Sequence, residues 1–246
     1  LSREYPETLI IFGGPNYPLN HIEQERFLHS YPAIDIYIAH EGEYAFFNVV
    51  KTFMGVEKDK AKLREACLPS THYAMPEGGF QLNEKEKRIT SLSEIPSPYL
   101  SGKLDQFFDG KLMPLLQTNR GCPFSCTFCV EGDSYYNKIS HSSSDKLANE
   151  FNYIGEKMAT IRKDGGRNDL FIADSNFGMY KTDLNTAELI ASVKERYGWP
   201  EYINVATGKN HKERVLEVSN IIDGSLRLSG SVQSLNPTVL ENIKRK

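Results

Sequence analysis

Cys122-Pro-Phe-Ser-Cys126-Thr-Phe-Cys129 places three cysteines within one short loop, directly after an apolar stretch. The spacing C-x3-C-x2-C supplies three thiolate ligands, whereas a [4Fe–4S] cube has four irons to be ligated. A cube held by three thiolates keeps one iron open for a substrate or a cofactor. The spacing therefore predicts an iron–sulfur site with one vacant position.

Two other uses of these cysteines stay open. Structural zinc needs four ligands, and the fourth would be Cys67 or a distant histidine such as His141. A redox pair of Cys126 and Cys129 would leave Cys122 without a role. The number and the spacing of the ligands favour the cluster over both alternatives.

Outward from the cysteines, residues 111–246 alternate between strand and helix patterns. Strands are predicted at 113–117, 169–173, 202–206 and 226–229. Helices are predicted to begin near Ser144, at an Asp183 cap, before Val215 and at Asn236-Pro237. Four consecutive β/α units predict a barrel or an open parallel sheet, with its chemistry at the carboxyl ends of the strands. The cysteine loop falls at such an end.

Residues 1–56 show the same alternation. A strand at 8–12 runs into Gly13-Gly14-Pro15, and a strand at 34–38 leads to Glu41-Gly42-Glu43. The pattern predicts a parallel α/β sheet whose ligands bind at the strand ends, although two glycines after a strand are also typical of a tight turn. Residues 57–110 are predicted to connect the two regions, with a charged helix at 57–65, a hairpin around residues 76–79 and a break at Ile95-Pro-Ser-Pro98.

Composition restricts the class of protein. The chain has 246 residues, of which 39% are hydrophobic and 25% charged, and its net charge of −3 is spread without a basic face that would indicate nucleic acid. No apolar run approaches the roughly 18 residues of a membrane span, and no signal peptide pattern is present. Four cysteines, three of them clustered, do not form a disulfide framework, so we expect a reducing, cytoplasmic setting. Because the chain opens at Leu1 and closes inside a predicted helix, we expect it to be a fragment.

The cysteine loop resembles that of the radical S-adenosylmethionine (radical SAM) superfamily. Cys122-x3-Cys126-x-Phe128-Cys129 follows the first predicted strand of a β/α region, and an aromatic residue before the third cysteine belongs to that signature. The segment 231–240, Ser-Val-Gln-Ser-Leu-Asn-Pro-Thr-Val-Leu, is similar to a Gln-Ser segment of many members. The resemblance implies an incomplete (β/α)6 barrel over residues 111–246.

The N-terminal region is similar to the second half of the cobalamin-binding domain that precedes many radical SAM barrels. The matching residues are Phe12-Gly-Gly-Pro15, residues 34–38 and Glu41-Gly-Glu43. The resemblance implies a partial Rossmann-like domain over residues 1–56, followed by a linker over 57–110. Gly13, Gly14, Gly42 and Glu43 are the residues it places near the tail of cobalamin.

The resemblance also implies a mechanism. Cys122, Cys126 and Cys129 would ligate the cluster, whose open iron would be chelated by the amino and carboxylate groups of S-adenosylmethionine (SAM). Transfer of one electron would cleave SAM to methionine and a 5′-deoxyadenosyl radical, which abstracts hydrogen from an unactivated C–H bond. If cobalamin binds, methyl transfer is the leading reaction.

Further SAM contacts are expected in the barrel region. Phe128 would lie against the adenine. Family members usually hold the amino group with Gly-Gly-Glu after the second strand, but this chain has Ala173-Asp-Ser-Asn176 there. Either Asp174 or Asn176 accepts those hydrogen bonds, or both merely turn the chain and cap a helix. Ser229 and Gln233 are candidates for the ribose or the substrate, and Lys209 for a carboxylate.

Two other functions remain alternatives. A methylthiotransferase-like radical SAM enzyme would carry three more cysteines in its N-terminal domain, where only Cys67 occurs. A non-catalytic metal module is the second. The expected partners are a small-molecule substrate and an electron donor such as flavodoxin or ferredoxin, with neither nucleic acid nor membrane.

Overall fold

The computed structural model describes residues 4–75, 77–228, 230 and 232–245. These residues form two compact units, which meet in the sequence between Ile89 and Thr90. Pro76, Ser229 and Ser231, which belong to the predicted hairpin, the predicted fourth strand and the Gln-Ser segment, lie outside the described residues.

The first unit contains a mixed four-stranded sheet in the order β1-β2-β3-β4. Strands β1 (Ile11–Gly13) and β2 (Ile36–Ile38) are parallel and shorter than predicted. Strands β3 (Thr71–Ala74) and β4 (Phe80–Leu82) form the predicted hairpin, which extends the sheet in antiparallel fashion. The carboxyl ends of β1 and β2 therefore meet at one edge, as their parallel direction requires.

Three helices complete this unit. Helix α1 (His21–Ser30) begins where the Asn20 side chain accepts a hydrogen bond from Glu23 N, which satisfies an otherwise unpaired amide of the first turn. Helices α2 (Glu43–Gly55) and α3 (Lys60–Glu65) follow. Apolar side chains of β2, α2 and α3 form the buried core: Ile36, Ile38, Ala45, Val49, Phe53 and Leu63.

The segment predicted as a separate linker is divided between the two units. Residues 57–89 supply α3 and the β3–β4 hairpin to the first unit, and residues from Thr90 onward pack within the second. Leu63, which stands among charged residues in the sequence, and Tyr73 of β3 are both buried in the first unit. Burial of such a side chain contributes about 2 kcal/mol, enough to hold a short element in place.

The second unit is built on the parallel sheet β5-β8-β9. Its strands are β5 (Leu115–Leu116), β8 (Asp169–Phe177) and β9 (Tyr202–Thr207). Leu226 adds a single parallel bridge to Ile203, so the predicted strand at 226–229 is reduced to one pairing among the described residues. A two-stranded antiparallel ribbon, β6 (Asn119–Arg120) with β7 (Ser140–His141), flanks the cysteine loop.

Helices follow the strands as the sequence predicts. Helix α4 (Ser144–Lys163) begins after Ser143, whose side chain accepts a hydrogen bond from Lys146 N. Helices α5 (Thr182–Tyr197), α6 (Lys212–Ile221) and α7 (Pro237–Asn242) come after β8, β9 and Leu226. The apolar positions of α4, at intervals of three and four residues, face the sheet and form the core with it: Leu147, Phe151, Ile154, Met158, Leu170, Ile172, Ile190 and Ile203.

The described part of the chain contains no helix that combines the length and the apolar character required to cross a bilayer.

Candidate functional site

The three cysteines lie in one loop that closes on itself through backbone hydrogen bonds. Cys122 N donates to Tyr136 O at 2.9 Å, and Cys129 N donates to Cys126 O at 3.2 Å. All three thiols are free, with Cys122 and Cys126 buried and Cys129 half-buried. The loop is thus held by its backbone and leaves its sulfur atoms available as ligands.

Gly132 fixes the end of this loop and was missed by the sequence reasoning. Its amide donates to Cys129 O at 2.9 Å, and a Cβ at this position would collide with the carbonyl oxygen of Cys126. Only glycine permits so close an approach of the two backbone segments. Its position three residues after Cys129 is the signal that the sequence offered.

The arrangement of donors does not suit a single metal ion. Within the residues that the structure describes, no three His, Cys, Asp or Glu side chains are placed to surround one ion. His141, considered as a zinc ligand, instead has its Nδ1 atom 3.5 Å from Thr182 Oγ1. In a cluster, by contrast, each thiolate binds a different iron, so the sulfurs need not converge on one point. The donor set therefore fits a cluster better than zinc.

Two donors from the neighbouring strand ends reach Cys122. Asn176, near the end of β8, is completely buried, and its Nδ2 donates to Cys122 Sγ at 3.3 Å. Lys209, after β9, donates from Nζ to the same sulfur at 3.8 Å. The Oδ1 atom of Asn176 is buried without a hydrogen-bond partner. The Asn176 side chain therefore contacts the cysteine loop and presents one unused acceptor beside it, while the Asn176 carbonyl begins a turn by accepting from Met179 N.

Asp174 does not turn the chain, and its carboxylate already has partners within the second unit. It lies inside β8 and not in a turn, and its carboxylate accepts hydrogen bonds from Thr118 N at 2.8 Å and Asn119 Nδ2 at 2.8 Å, as well as from Thr118 Oγ1. Burial raises its pKa to about 7, although the Thr118 and Asn119 donors oppose the rise. The side chain ties β8 to the segment that leads into the cysteine loop.

Asp183 and Asn119 extend this buried polar network. Asn119 Nδ2 also lies 3.3 Å from Asp183 Oδ1, and the other Asp183 oxygen accepts from Tyr180 N at 2.9 Å. Burial raises the pKa of Asp183 to about 6, while backbone amides from Tyr180 and Gly178 counteract it. Asp183 lies in the first turn of α5 and is not its cap, which is Lys181. Asn119 was not anticipated, because its partners are 55 and 64 residues away.

The other predicted SAM contacts differ in their surroundings. Phe128 belongs to the cysteine loop and is 53% exposed, so its ring has an open face. Gln233 is exposed in an irregular segment, with a φ of 63°. Ser229 lies outside the described residues. Of the predicted SAM residues in the described part of the chain, Asn176 and Lys209 have side-chain hydrogen bonds to a predicted cluster ligand, both to Cys122.

A cavity of about 280 Å³ adjoins the cysteine loop and is rich in positive charge. Three basic side chains, those of Lys209, Lys244 and Arg245, line it together with Cys126, and none of its described lining residues is acidic. Lys209 Nζ also lies 5.4 Å from the centre of the Phe124 ring, a cation–π distance. Such a lining favours an anionic group.

In the first unit, the predicted glycine loops follow neighbouring parallel strands. Gly13 ends β1 opposite Ile38 of β2, and a Cβ on Gly13 would lie 3.3 Å from Ile38 O. Tyr37 Oη donates to Gly14 O at 2.9 Å. Gly42 precedes α2, whose first residue is Glu43. Gly13, Gly14, Gly42 and Glu43 thus lie at or after the carboxyl ends of β1 and β2, where parallel sheets bind their ligands.

Comparison with known proteins gives relatives along the whole chain, although no protein-family model matches it. The cobalamin-dependent radical SAM methyltransferase TokK of Streptomyces tokunonensis is 30% identical over 255 aligned positions, and the 2-(S-pantetheinyl)-carbapenam-3-carboxylate methyltransferase of Streptantibioticus cattleyicolor is 29% identical. Each alignment covers 100% of this chain and 35% of the relative. The chain therefore corresponds to about a third of these proteins.

Solved structures show the same fold at lower identity. Apo OxsB, a cobalamin-dependent S-adenosylmethionine radical enzyme, superposes with a TM-score of 0.67 at 18% identity, over 99% of this chain and 34% of that one. The methyltransferase TsrM from Kitasatospora setae, solved with cobalamin and a [4Fe-4S] cluster, gives 0.62 at 14% identity, over 96% and 45%. The α/β fold of this chain thus matches parts of cobalamin-dependent radical SAM enzymes.

Proposed function

We propose that the complete protein is a methyltransferase that uses a [4Fe–4S] cluster, SAM and cobalamin, because this chain belongs to the cobalamin-dependent radical SAM enzymes. The observation that carries the proposal is the closed loop of Cys122, Cys126 and Cys129, with two donors directed at its first sulfur. The chain spans 35% of each relative, so the proposal concerns the whole protein.

The three thiolates would hold the cluster and leave one iron open. When bound, the cluster supplies the electron that cleaves SAM reductively and so starts radical chemistry at an unactivated C–H bond. The task of the chain is to orient the cofactors and to exclude water. Buried Asn176 and the tight turn at Gly132 support this, because they hold the loop from two sides.

The SAM site would be formed by residues around the same loop. The unpaired Oδ1 of Asn176 would accept a hydrogen bond from the ammonium group, and the open face of Phe128 would stack on the adenine. The basic cavity beside Cys126, with Lys209 in its lining, would receive the carboxylate. Ser229 and Gln233 remain candidates for the ribose or the substrate. Asp174 would act through Thr118 and Asn119, since all its known hydrogen bonds go to them.

The finer architecture belongs to the same proposal. The residues up to Ile89 would be the end of a Rossmann-like cobalamin-binding domain, and those from Thr90 the first four β/α units of an incomplete (β/α)6 barrel. The parallel β1–β2 pair and the parallel β5-β8-β9 sheet support this division. The loops at Gly13-Gly14 and Gly42-Glu43 would lie against the tail of cobalamin.

The substrate would be a small molecule, and the relative from Streptantibioticus cattleyicolor is named for a carbapenam carboxylate. An external one-electron donor such as flavodoxin or ferredoxin would reduce the cluster. We propose a cytoplasmic protein that acts without nucleic acid or membrane partners.

Anaerobic reconstitution of the full-length protein with iron and sulfide tests the proposal. Roughly four irons per chain should bind, with the absorbance of a [4Fe–4S] cluster. With cobalamin, reductant and SAM, we expect S-adenosylhomocysteine and 5′-deoxyadenosine. Iron that binds as a single ion, or SAM that stays intact with a full cluster, would refute the enzyme assignment.

A separate experiment tests the cobalamin site. Gly42 has an ordinary backbone conformation, and a Cβ added to it would meet only Ile38 Cγ2, at a van der Waals distance of 4.0 Å, so Gly42→Leu fills the loop edge without backbone strain. We expect the variant to lose cobalamin while it retains its cluster. Gly55→Leu, at the end of the same helix with open space around it, is the matched control. Equal cobalamin content in both variants would remove Gly42 from the site.

A further inference from the structure

Cys122 is treated differently from the other two cysteines. Its sulfur receives Asn176 Nδ2 at 3.3 Å and Lys209 Nζ at 3.8 Å. In the described ranges, no side-chain donor forms a hydrogen bond with the sulfur of Cys126 or Cys129. One corner of the ligand set thus carries both donors.

The orientation of the Asn176 amide follows from chemistry. An iron-bound cysteine is a thiolate, whose sulfur can only accept a hydrogen bond. With such a ligand the amide would turn its NH2 group toward Cys122, which is the orientation in the structure, where Oδ1 has no partner. Asn176 is completely buried within β8, so no water competes for the donor.

Lys209 reaches the same sulfur from the end of the next strand. Its neighbour Gly208 donates from N to Phe177 O at 2.8 Å, which joins the end of β9 to the end of β8. The ammonium group also lies 5.4 Å from the Phe124 ring centre. Both contacts keep the ammonium charge of Lys209 near Cys122.

We propose that Asn176 and Lys209 are positioning residues that raise the reduction potential of the cluster through the Cys122 thiolate. This inference rests on the proposed function. Reduction adds one electron, from an external one-electron donor, to a cluster already ligated by three thiolates. A hydrogen bond and a cation at a ligand sulfur stabilise the added negative charge, and hydrogen bonds to cluster sulfurs are known determinants of such potentials.

A redox titration of the reconstituted full-length protein, monitored by electron paramagnetic resonance without SAM, tests the inference. Asn176→Ala and Lys209→Gln should each shift the midpoint to a more negative value. At a fixed potential we expect the reduced-to-oxidised ratio to fall about threefold to tenfold per substitution, and tenfold equals about 59 mV for one electron. Lys209→Arg should stay near the wild type, and the double variant should shift further than either single variant.

Matched controls separate this effect from general damage. Asn204→Ala removes an amide that contacts Asp169, and Lys212→Gln removes an exposed charge at the start of α6; neither should shift the midpoint. If Asn176→Ala fails to hold a cluster, Lys209→Gln still decides, because that side chain is only half-buried. Intact clusters with unshifted midpoints would overturn the inference alone. A wild-type protein without a cluster would overturn the proposed function as well.

Discussion

The two units of the chain differ in the chemical groups found at the carboxyl ends of their parallel strands. In the first unit the loops after β1 and β2 present glycine backbone, as Gly13, Gly14 and Gly42 show. In the second unit hydrogen bonds join the buried side chains of Thr118, Asn119 and Asp174 near the ends of β5 and β8. Under the proposed function both edges would bind a cofactor, one mainly through backbone and the other through side chains.

The difference corresponds to two kinds of recognition. A glycine edge lets a large ligand approach the backbone and needs little side-chain chemistry. A reactive metal centre instead requires fixed donors in a dry setting, and each buried polar group there must be paired or reserved for the cofactor. We therefore expect the glycine edge of the first unit to tolerate polar substitutions. In the second unit, we expect the loss of a single hydrogen-bonding atom to disrupt the site.

Replacement of Cys126 should give the largest effect. Cys126→Ala in the full-length protein removes one of the three proposed ligands, so cluster absorbance and SAM cleavage should both be lost. Cys67→Ala, which removes an exposed thiol of the first unit, should leave both unchanged. Cluster content and 5′-deoxyadenosine are the measurements. Persistent SAM cleavage in Cys126→Ala would show that the ligand assignment is wrong.

Gly132→Ala should give the next largest effect. The added methyl would collide with the carbonyl oxygen of Cys126, so the loop must open. We expect the cluster content to fall about tenfold or more, because overpacking of this kind costs about 1–3 kcal/mol. Gly55→Ala, in open space on α2, should keep the wild-type content. Equal iron content in the two variants would contradict the role given to Gly132.

Asp174→Ala tests the buried network directly. It leaves the amides of Thr118 and Asn119 without their acceptor, and should destabilise the second unit by about 3 kcal/mol or more. Denaturant unfolding measures the change. The control Asp164→Ala lies on the exposed end of α4 and should stay within about 0.5 kcal/mol of the wild type. A small loss in Asp174→Ala would mean that the network adds little to stability.

His72 gives the smallest expected effect and tests a buried polar side chain of the first unit. Burial, assisted by the positive charges of His40, His21 and Lys85, lowers its pKa to about 4 from the usual 6.5. Its Nδ1 lies 3.2 Å from Tyr17 Oη. Below about pH 6.5 the unfolded chain binds a proton that the folded unit excludes. Stability should therefore fall as the pH drops toward 4.

Between pH 7 and pH 5 we expect the first unit to lose about 2 kcal/mol, and His72→Gln to reduce that dependence. Hydrogen exchange of the β3 amides reports this unit by itself. His29→Gln, an exposed change in α1, should keep the wild-type dependence. An unchanged pH response in His72→Gln would assign the dependence to another group.

Much of the fold could be predicted, and the failures have physical causes. The helices α4 and α5 were predicted because their apolar positions recur with the helical period. Residues 57–110, predicted to connect the two regions, divide between the two units, because buried residues such as Leu63 and Tyr73 decide where residues 57–89 pack. Among the described residues, the strand predicted at 226–229 makes one parallel bridge at Leu226, since its sequence does not show whether it has a partner.

Within the site, only the three cysteines proposed as ligands could be predicted from the sequence. The three cysteines stand in one short segment, so their identity and spacing can be read locally. Asn176 was a candidate for the SAM ammonium, but its donation to Cys122 was not foreseen, and Asp174 proved to lie inside a strand and not in a turn.

The sequence by itself determined the proposed ligand set and the alternation of strands and helices, because both depend on residues close together in the chain. Only the tertiary structure decided which residues surround Cys122, since Asn176 and Lys209 lie 54 and 87 positions away from it. Parallel strands bring their carboxyl ends to one edge, and the residues found there are set by register and packing. For that reason the donors to the first cysteine become visible only in the folded chain.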